Sequence, residues 1–404
     1  MRKLIAITAL MFCGSWLLAQ GGLVFSVRGT VEDSSTGRPV ASASVTVSGK
    51  NFSTVTNADG SFVIKSDSPI DAVDVSHIGF KSTCVKVLSR DVRVLLVPVA
   101  YPLKESSIIS GDPFEIVKNA MDKIKDNYPL HPESLYCFYR ETVRKRHRYI
   151  TVNEAVARVY KTSYTQGASH QDRTAIEKSR VIISQRRRDT LSVRMMGGPT
   201  PAANFDPVKN ESIIFNATDL QYYRFQMESP TYIGDRLQFV ISFEPESEAP
   251  YALYRGTLFI DRESLAFSRI ELSLDVSDRV KATRMMLIKK PAGLRFIPKE
   301  LSYIVNYRLQ NGVFRLDYFR SNMQFNCDWR KWGFASSYTA VNELVITDIA
   351  ESAVPIQKSE MFRATDILDD KAFLFLDPDF WQDYNIIEPS ESLENAVKRL
   401  KKQN

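Results

Sequence analysis

The residues best suited to hydrolytic chemistry are the four histidines, His77, His131, His147 and His170. A zinc carboxypeptidase needs a glutamate three residues after a histidine, so that one turn of chain presents both to one metal. Here the third residues on are Phe80, Ser134, Ile150 and Arg173, and no HExxH pair occurs. Serine chemistry on a nucleophile elbow would need GxSxG, and the chain has none. GxxxxGK[ST] and GxGxxG are absent too, so nucleotide binding has no support. No catalytic residue, metal or cofactor is assigned from these patterns. A Ser/His/Asp arrangement assembled by the fold near residues 161–210 stays open as a hydrolase alternative.

Other residues suit binding. Arg140 and Glu141 fall within an alternating run, so they must face opposite sides of a strand. Whichever points to the apolar side has to be paired, because an isolated buried charge is costly. It is either a polar anchor for a ligand or half of an ion pair inside the sheet, with Glu154 or Asp172 as partner for Arg140. Trp381 and Tyr384, with Phe380, could line a carbohydrate or lipid site, or pack a terminal segment onto a sheet. The basic clusters Arg144–Arg148 and Arg186–Arg188 are either solvated hairpin tips or contacts for anionic lipid headgroups or lipopolysaccharide. The candidate ligand-binding residues are therefore Arg140, Glu141, Trp381 and Tyr384.

The elements that carry these residues begin with a run of short strands. Val27, Gly29 and Val31 alternate with Arg28, Thr30 and Glu32, and Asp33 to Gly37 is turn chemistry closed by Pro39. Val45 and Val47 share one face of a second strand, and Thr54 to Thr56 suit a third. Asn57-Ala-Asp-Gly60 is a tight turn before Phe62 and Ile64. Further strands follow at Ile70–Val75, Val85–Val87 and Val92–Leu96. Strands this short, with turn signals between them, predict a β-sandwich.

Val27-Arg-Gly-Thr-Val31, Thr36-Gly-Arg-Pro-Val40, Thr56 to Phe62 and Val75 to Phe80 together resemble the carboxypeptidase-regulatory-like domain, over roughly Phe25 to Val99. The resemblance implies a transthyretin-like sandwich acting as an accessory module. In that family it is common at the front of exported and outer-membrane proteins of Bacteroidetes-type bacteria. It implies no catalytic residues.

Arg2 and Lys3, an apolar run from Leu4 to Leu18 and Ala19 read as a signal peptide, short for a membrane span. A lipoprotein reading would use Cys13, but Phe12 before it is too bulky. Without Arg2 and Lys3 the formal charge falls by two, from +6 to +4, which gives no support to a nucleic-acid partner. Charged residues at 25% and hydrophobic ones at 44% are ordinary globular values. Three cysteines remain, Cys84, Cys137 and Cys327. Free thiols and one long-range disulfide are both open.

Pro98 to Asp112 reads as a linker. Ile116, Val117, Ala120, Met121 and Ile124 predict one amphipathic helix from Pro113 through Lys125. Leu135 to Val143 and Tyr149 to Tyr160 predict a hairpin. Ile176 to Ser184 could be strand or short helix, Gly197 to Pro201 a loop, and Asp206 to Asn216 a short helix. Strands are expected at Tyr222–Glu228, Arg236–Glu244, Ala252–Asp261, Leu265–Asp275, Ala282–Ile288, Phe296–Leu309, Val313–Phe325 and Tyr338–Asp348. Asn311-Gly312 is the strongest hairpin signal. Ser390 should cap a last helix through Leu400. The hairpins make an antiparallel meander with one apolar, aromatic face.

The helix before Cys137-Phe-Tyr-Arg-Glu141, the Ile260-Asp261 hairpin and Asp377–Leu393 resemble the uncharacterised C-terminal region of exported Bacteroidetes proteins that carry the same first domain. That resemblance implies no established activity. The order of hairpins is also similar to the lipoprotein-carrier fold, a curved sheet around an apolar groove.

The sequence therefore predicts a mostly β protein. It has a signal peptide (1–20), a sandwich (21–99), a linker (100–112) and a large curved antiparallel sheet with flanking helices (113–404). The expected role is a non-catalytic exported binding or assembly module of the periplasm or outer membrane, with envelope proteins or an apolar lipid ligand as partners and possible contact with a membrane surface. The alternatives are a lipid or lipoprotein carrier using the sheet groove, and the hydrolase.

Overall fold

The structure, a computed structural model, describes residues 25–99, 111–169, 171–186, 189, 194–195, 197–214, 219–329, 335–368 and 384–402. The expected signal peptide, most of the expected linker, His170, Arg187, Arg188, Phe380 and Trp381 lie outside the described residues.

The first strands are β1 (Phe25–Asp33), β2 (Ser44–Val47), β3 (Ser53–Val55), β4 (Ser61–Ser66), β5 (Ala72–Ser76), β6 (Thr83–Lys86) and β7 (Asp91–Leu96). They form two sheets, ordered β4-β1-β7 and β3-β2-β5-β6. Alternation sends Val27, Val31, Phe62, Ile64, Val94 and Leu96 inward from one sheet, against Val45, Val47, Val73 and Val75 of the other. Gly29 is required where it stands. A Cβ there would lie 2.5 Å from both the Phe62 ring and the Val92 carbonyl oxygen.

Two helices follow, α1 (Pro113–Asp122) and α2 (Ile124–Asn127). The single helix expected through Lys125 is broken at Lys123, whose backbone leaves helical geometry. Asp112 caps α1 by accepting from the Phe114 N–H at 3.0 Å.

The rest of the chain builds one sheet of twelve strands. These are β8 (Glu133–Lys145), β9 (Arg148–Lys161), β10 (Arg173–Ile183), β12 (Tyr223–Met227), β13 (Thr231–Ile233), β14 (Arg236–Pro245), β15 (Tyr254–Asp261), β16 (Phe267–Leu274), β18 (Leu294–Gln310), β19 (Val313–Trp329), β20 (Ser336–Ile349) and β21 (Met361–Phe362). The order is β12-β14-β15-β16-β18-β19-β20-β8-β9-β10-β21, with β13 also on β14. A separate short pair joins β11 (Arg194–Met195) to β17 (Leu287–Lys289). The remaining helices are α3 (Pro199–Asn204), α4 (Arg279–Met286) and α5 (Glu391–Lys401).

Three local expectations are corrected. Ala282 to Met286 is helix, and only Leu287 onward is strand. The Asp278 carboxylate caps α4 at the Val280 and Lys281 N–H groups, and Ala282 and Met286, four apart, share its buried face. Pro199 opens α3 inside the supposed loop, because proline suits a first helical position. Residues 206–214 are turns, not a helix.

The sheet also departs from the single apolar face expected. Leu135, Cys137, Tyr139 and Val143 enter the main core, together with Val117, Ala120, Ile124 and Tyr128 from the α1–α2 region. On the reverse face Phe138, Val156, Tyr318 and Val345 pack against Val55 of the sandwich and Ile386 and Ile387 of the tail. Fully burying one such side chain, Phe138, stabilises by about 2–3 kcal/mol over leaving it exposed. The middle of the sheet is covered on both sides, as the near-continuous burial of β9 shows.

Candidate functional site

Arg140 and Glu141 do not converge. Arg140 lies on the reverse face, 3% exposed, with Nε donating to Glu154 Oε1 at 2.8 Å and Nη2 to the Ile387 carbonyl at 2.6 Å. Arg180 Nε donates to the second Glu154 oxygen at 2.9 Å. Arg140 thus holds the tail and the sheet together. Glu141, on the opposite face, accepts from the Tyr139 hydroxyl at 2.9 Å, and that hydroxyl accepts from the Gly198 N–H at 2.8 Å. The loop passes so close that a Cβ on Gly197 would lie 2.5 Å from Glu141 Oε2. Tyr384 packs on the reverse-face cluster, with Lys178 Nζ 5.0 Å from its ring centre.

A set of charges that local sequence patterns do not reveal is buried where the hydrolase alternative looked. Lys161 Nζ lies 2.8 Å from Asp206 Oδ2 and 3.0 Å from Asp172 Oδ2. Lys209 Nζ donates to Asp172 Oδ1 and, at 2.6 Å, to Thr162 Oγ1. Tyr164 and Tyr307 donate to Asp206 at 2.8 and 2.6 Å. Asp172 is therefore a partner of lysines, not of Arg140. Burial pulls the Lys161 pKa down, but the charges of Asp172 and Asp206 outweigh it and the net shift is upward. Burial and then the Lys161 charge bring Lys209 down to about 8, against the pull of Asp172. Two ammonium groups cancel two carboxylates, and all four residues are at most 5% exposed. Among the described residues the network is shut off from water.

His131 and His147 are exposed, and neither is among the partners of that network. Among the described residues no group of three or more His, Cys, Asp or Glu could hold a metal ion. The three cysteines are free, Cys84 exposed and the other two buried.

A cavity opens where the sandwich meets the sheet. Three devices shape it. Ser42 turns with a left-handed backbone, φ 58°. The Gly79 N–H donates to the Tyr232 carbonyl at 3.0 Å, fixing the 77–82 loop on the β13–β14 hairpin. Gly234, φ 64°, makes that hairpin's turn against Ser82. The result is a cavity of about 210 Å³ lined from the sandwich by Ser42, Ser44, Ser76 and His77, and from the sheet by Gln238, Ser268 and Asn306.

Arginines border the cavity, but each is held. Arg236 forks onto Asp261 with both bonds at 2.6 Å. Arg269 donates to Glu271 at 2.6 Å. Arg308 Nε lies 3.0 Å from Asp317 Oδ1, with the charge but not the alignment of a hydrogen bond. Arg308 Nη2 also donates to Ser53 Oγ at 3.0 Å, tying the sandwich down. Gln238 differs. It is 1% exposed, its Nε2 donates to the Arg236 carbonyl at 3.0 Å, and its Oε1 has no partner among the described residues. A buried acceptor left empty costs about 1–3 kcal/mol. His77 Nδ1 sits 2.9 Å from the Ile78 carbonyl. Burial, and then the Arg269 charge, lower its pKa from 6.5.

The model of the CarboxypepD_reg-like domain family matches residues 27–106, which includes the sandwich wall of this cavity. No curated protein matches the sequence. Among solved structures, a putative outer membrane lipoprotein-sorting protein domain from Vibrio parahaemolyticus is 11% identical, with 60% of this chain and 94% of that one covered and a TM-score of 0.27. A DUF1329 family protein from Desulfovibrio piger is also 11% identical, covering 62% and 100%, with a TM-score of 0.28. A putative membrane-associated protein of unknown function from Bacteroides fragilis covers 81% and 99% at 11% identity, with a TM-score of 0.15. Likeness at this level carries no argument about function.

Proposed function

We propose that this chain is a non-catalytic, exported binding module of the cell envelope. Its ligand is a small neutral molecule bearing hydroxyl or amide hydrogens, such as a monosaccharide, held between sandwich and sheet. The cavity walled by both parts of the chain, with Ser42, Ser44 and Ser76 on one side and Ser268, Asn306 and Gln238 on the other, carries this reading. The cavity has room for about seven waters at roughly 30 Å³ each, which is also the scale of one sugar ring. Its serine hydroxyls both donate and accept, Asn306 offers its amide N–H groups while its Oδ1 accepts from Arg269 at 3.0 Å, and the bordering arginines are already matched by carboxylates, so no unmatched cation calls for an anionic ligand. The carrier alternative needs room for an acyl chain on the main core face, where Val117, Ala120, Ile124 and Tyr128 already sit.

The test is native mass spectrometry of the purified mature protein, followed by identification of what is released on unfolding. A neutral hydrophilic molecule of monosaccharide size supports the proposal. A fatty acid or phospholipid would replace it with the carrier reading.

A further inference from the structure

The tip of the β8–β9 hairpin and the end of α5 meet in a basic hollow that the cavity above does not involve. Lys145, Arg146, His147, Arg148 and Arg399 line it, with Asp189 as the acid among them. Arg148 Nη2 lies 2.5 Å from Asp189 Oδ1, so that pair cancels. Arg146 and Arg399 are both exposed, and neither has an ion-pair partner among the described residues.

The hollow is rigidly made. The Arg146 N–H donates to the Ser337 carbonyl at 2.8 Å, pinning the hairpin tip to β20. Leu393, Val397 and Leu400 of α5 bury against Val152 and Ile182 of β9 and β10, which fixes Arg399 over the hairpin. The Ser390 hydroxyl caps the helix start at the Leu393 N–H, 3.3 Å away.

Two features point to a surface and not to a single dissolved anion. Positive charge continues past the hollow at the end of α5, through Lys401 and Lys402, while Lys398 pairs with Glu394 at 3.2 Å. At the same end of the sheet Ile183, the last residue of β10, is 37% exposed on the face opposite α5, leaving an apolar group beside the hairpin tip. Basic side chains gathered at one end of the sheet match the phosphate layer of a bilayer, where charge meets headgroups.

We infer that this end of the protein docks on phosphate-bearing lipid headgroups, with Arg146 and Arg399 as the principal contacts. The inference is independent of what fills the cavity between sandwich and sheet.

Vesicle cosedimentation of the mature protein tests it, comparing phosphatidylcholine alone with a phosphatidylcholine/phosphatidylglycerol mixture in about 0.1 M salt, where charges act over about 10 Å. Binding should need the anionic lipid and fade in 0.5 M salt. Each of Arg146→Gln and Arg399→Gln should lower the partition coefficient about fivefold, and both together about 25-fold. Arg38→Gln, at an exposed position in the sandwich, should leave it unchanged. Circular dichroism checks that each variant folds. Equal binding to both vesicle types, equal loss from Arg38→Gln, no loss from the paired variant, or tighter binding to a single-stranded oligonucleotide would each overturn the inference.

Discussion

Lys161 Nζ sits 2.8 Å from Asp206 Oδ2, with both side chains almost wholly out of water. Such a pair stabilises little over an apolar one, but breaking it is expensive because the remaining charge is stranded. Lys161→Met should therefore cost about 3–5 kcal/mol, read from urea unfolding. Lys161→Met combined with Asp206→Asn should recover part of that loss. Equal stability of the single variant and wild type would show that the network is not formed.

Arg140 gives a smaller, local version of this effect. Arg180 still faces Glu154 when Arg140 is removed, so the carboxylate is not stranded. Arg140→Met should cost less than Lys161→Met but free the Ile387 carbonyl. Hydrogen exchange over residues 384–402 should rise more than exchange in β18 and β19.

Asn385 joins the tail to the sandwich edge, accepting from the Lys65 N–H at 2.6 Å and donating to the Lys65 carbonyl at 2.9 Å. Asn385→Ala should cost about 1–3 kcal/mol and speed limited proteolysis after residue 384. Unchanged cleavage would mean that these bonds do not hold the tail.

Much of this arrangement can be read locally. Arg140 stands directly opposite Glu154 in the β8–β9 register, so a hairpin anticipated from alternation already nominates that ion pair. Asn311 and Gly312, φ 51° and 82°, make the tight turn their identities demand. Other features have no local signature. The cavity joins residues 42–82 to residues 233–317, and Lys161 meets Asp206 across a chain segment that contains β10 and α3, whose own periods do not encode the meeting. The reverse-face contacts of Phe138 and Tyr318 depend on a separate sandwich landing there, which the alternation within their own strands cannot encode.

The cavity should be sensitive to acid through His77. Its folded pKa lies below 6.5, so above 6.5 the neutral ring contributes its full stability. That contribution is lost as pH falls from 6.5 toward the folded value, because the unfolded chain takes up the proton first. A charged ring would also meet Arg269, with Arg236, Arg308, Asp235 and Asp317 around the same cavity. Thermal melts between pH 7.5 and 5 should fall more steeply for wild type than for His77→Gln. Parallel curves would contradict this.

Thiol labelling reads the packing directly. Burial pushes the Cys137 and Cys327 thiols up to about 12, while Cys84 is exposed. In folded protein produced without residues 1–20, Ellman's reagent should modify Cys84 at once and the other two only after unfolding. Rapid modification of Cys137 would place β8 outside a closed sheet.

The most direct test of the binding proposal is saturation-transfer NMR with a panel of neutral monosaccharides, run on the mature protein and on Gln238→Leu. Signal from at least one sugar with wild type, lost in the folded variant, is the predicted result. Equal signal from both proteins, or none from either, would contradict a ligand held by Gln238 between sandwich and sheet.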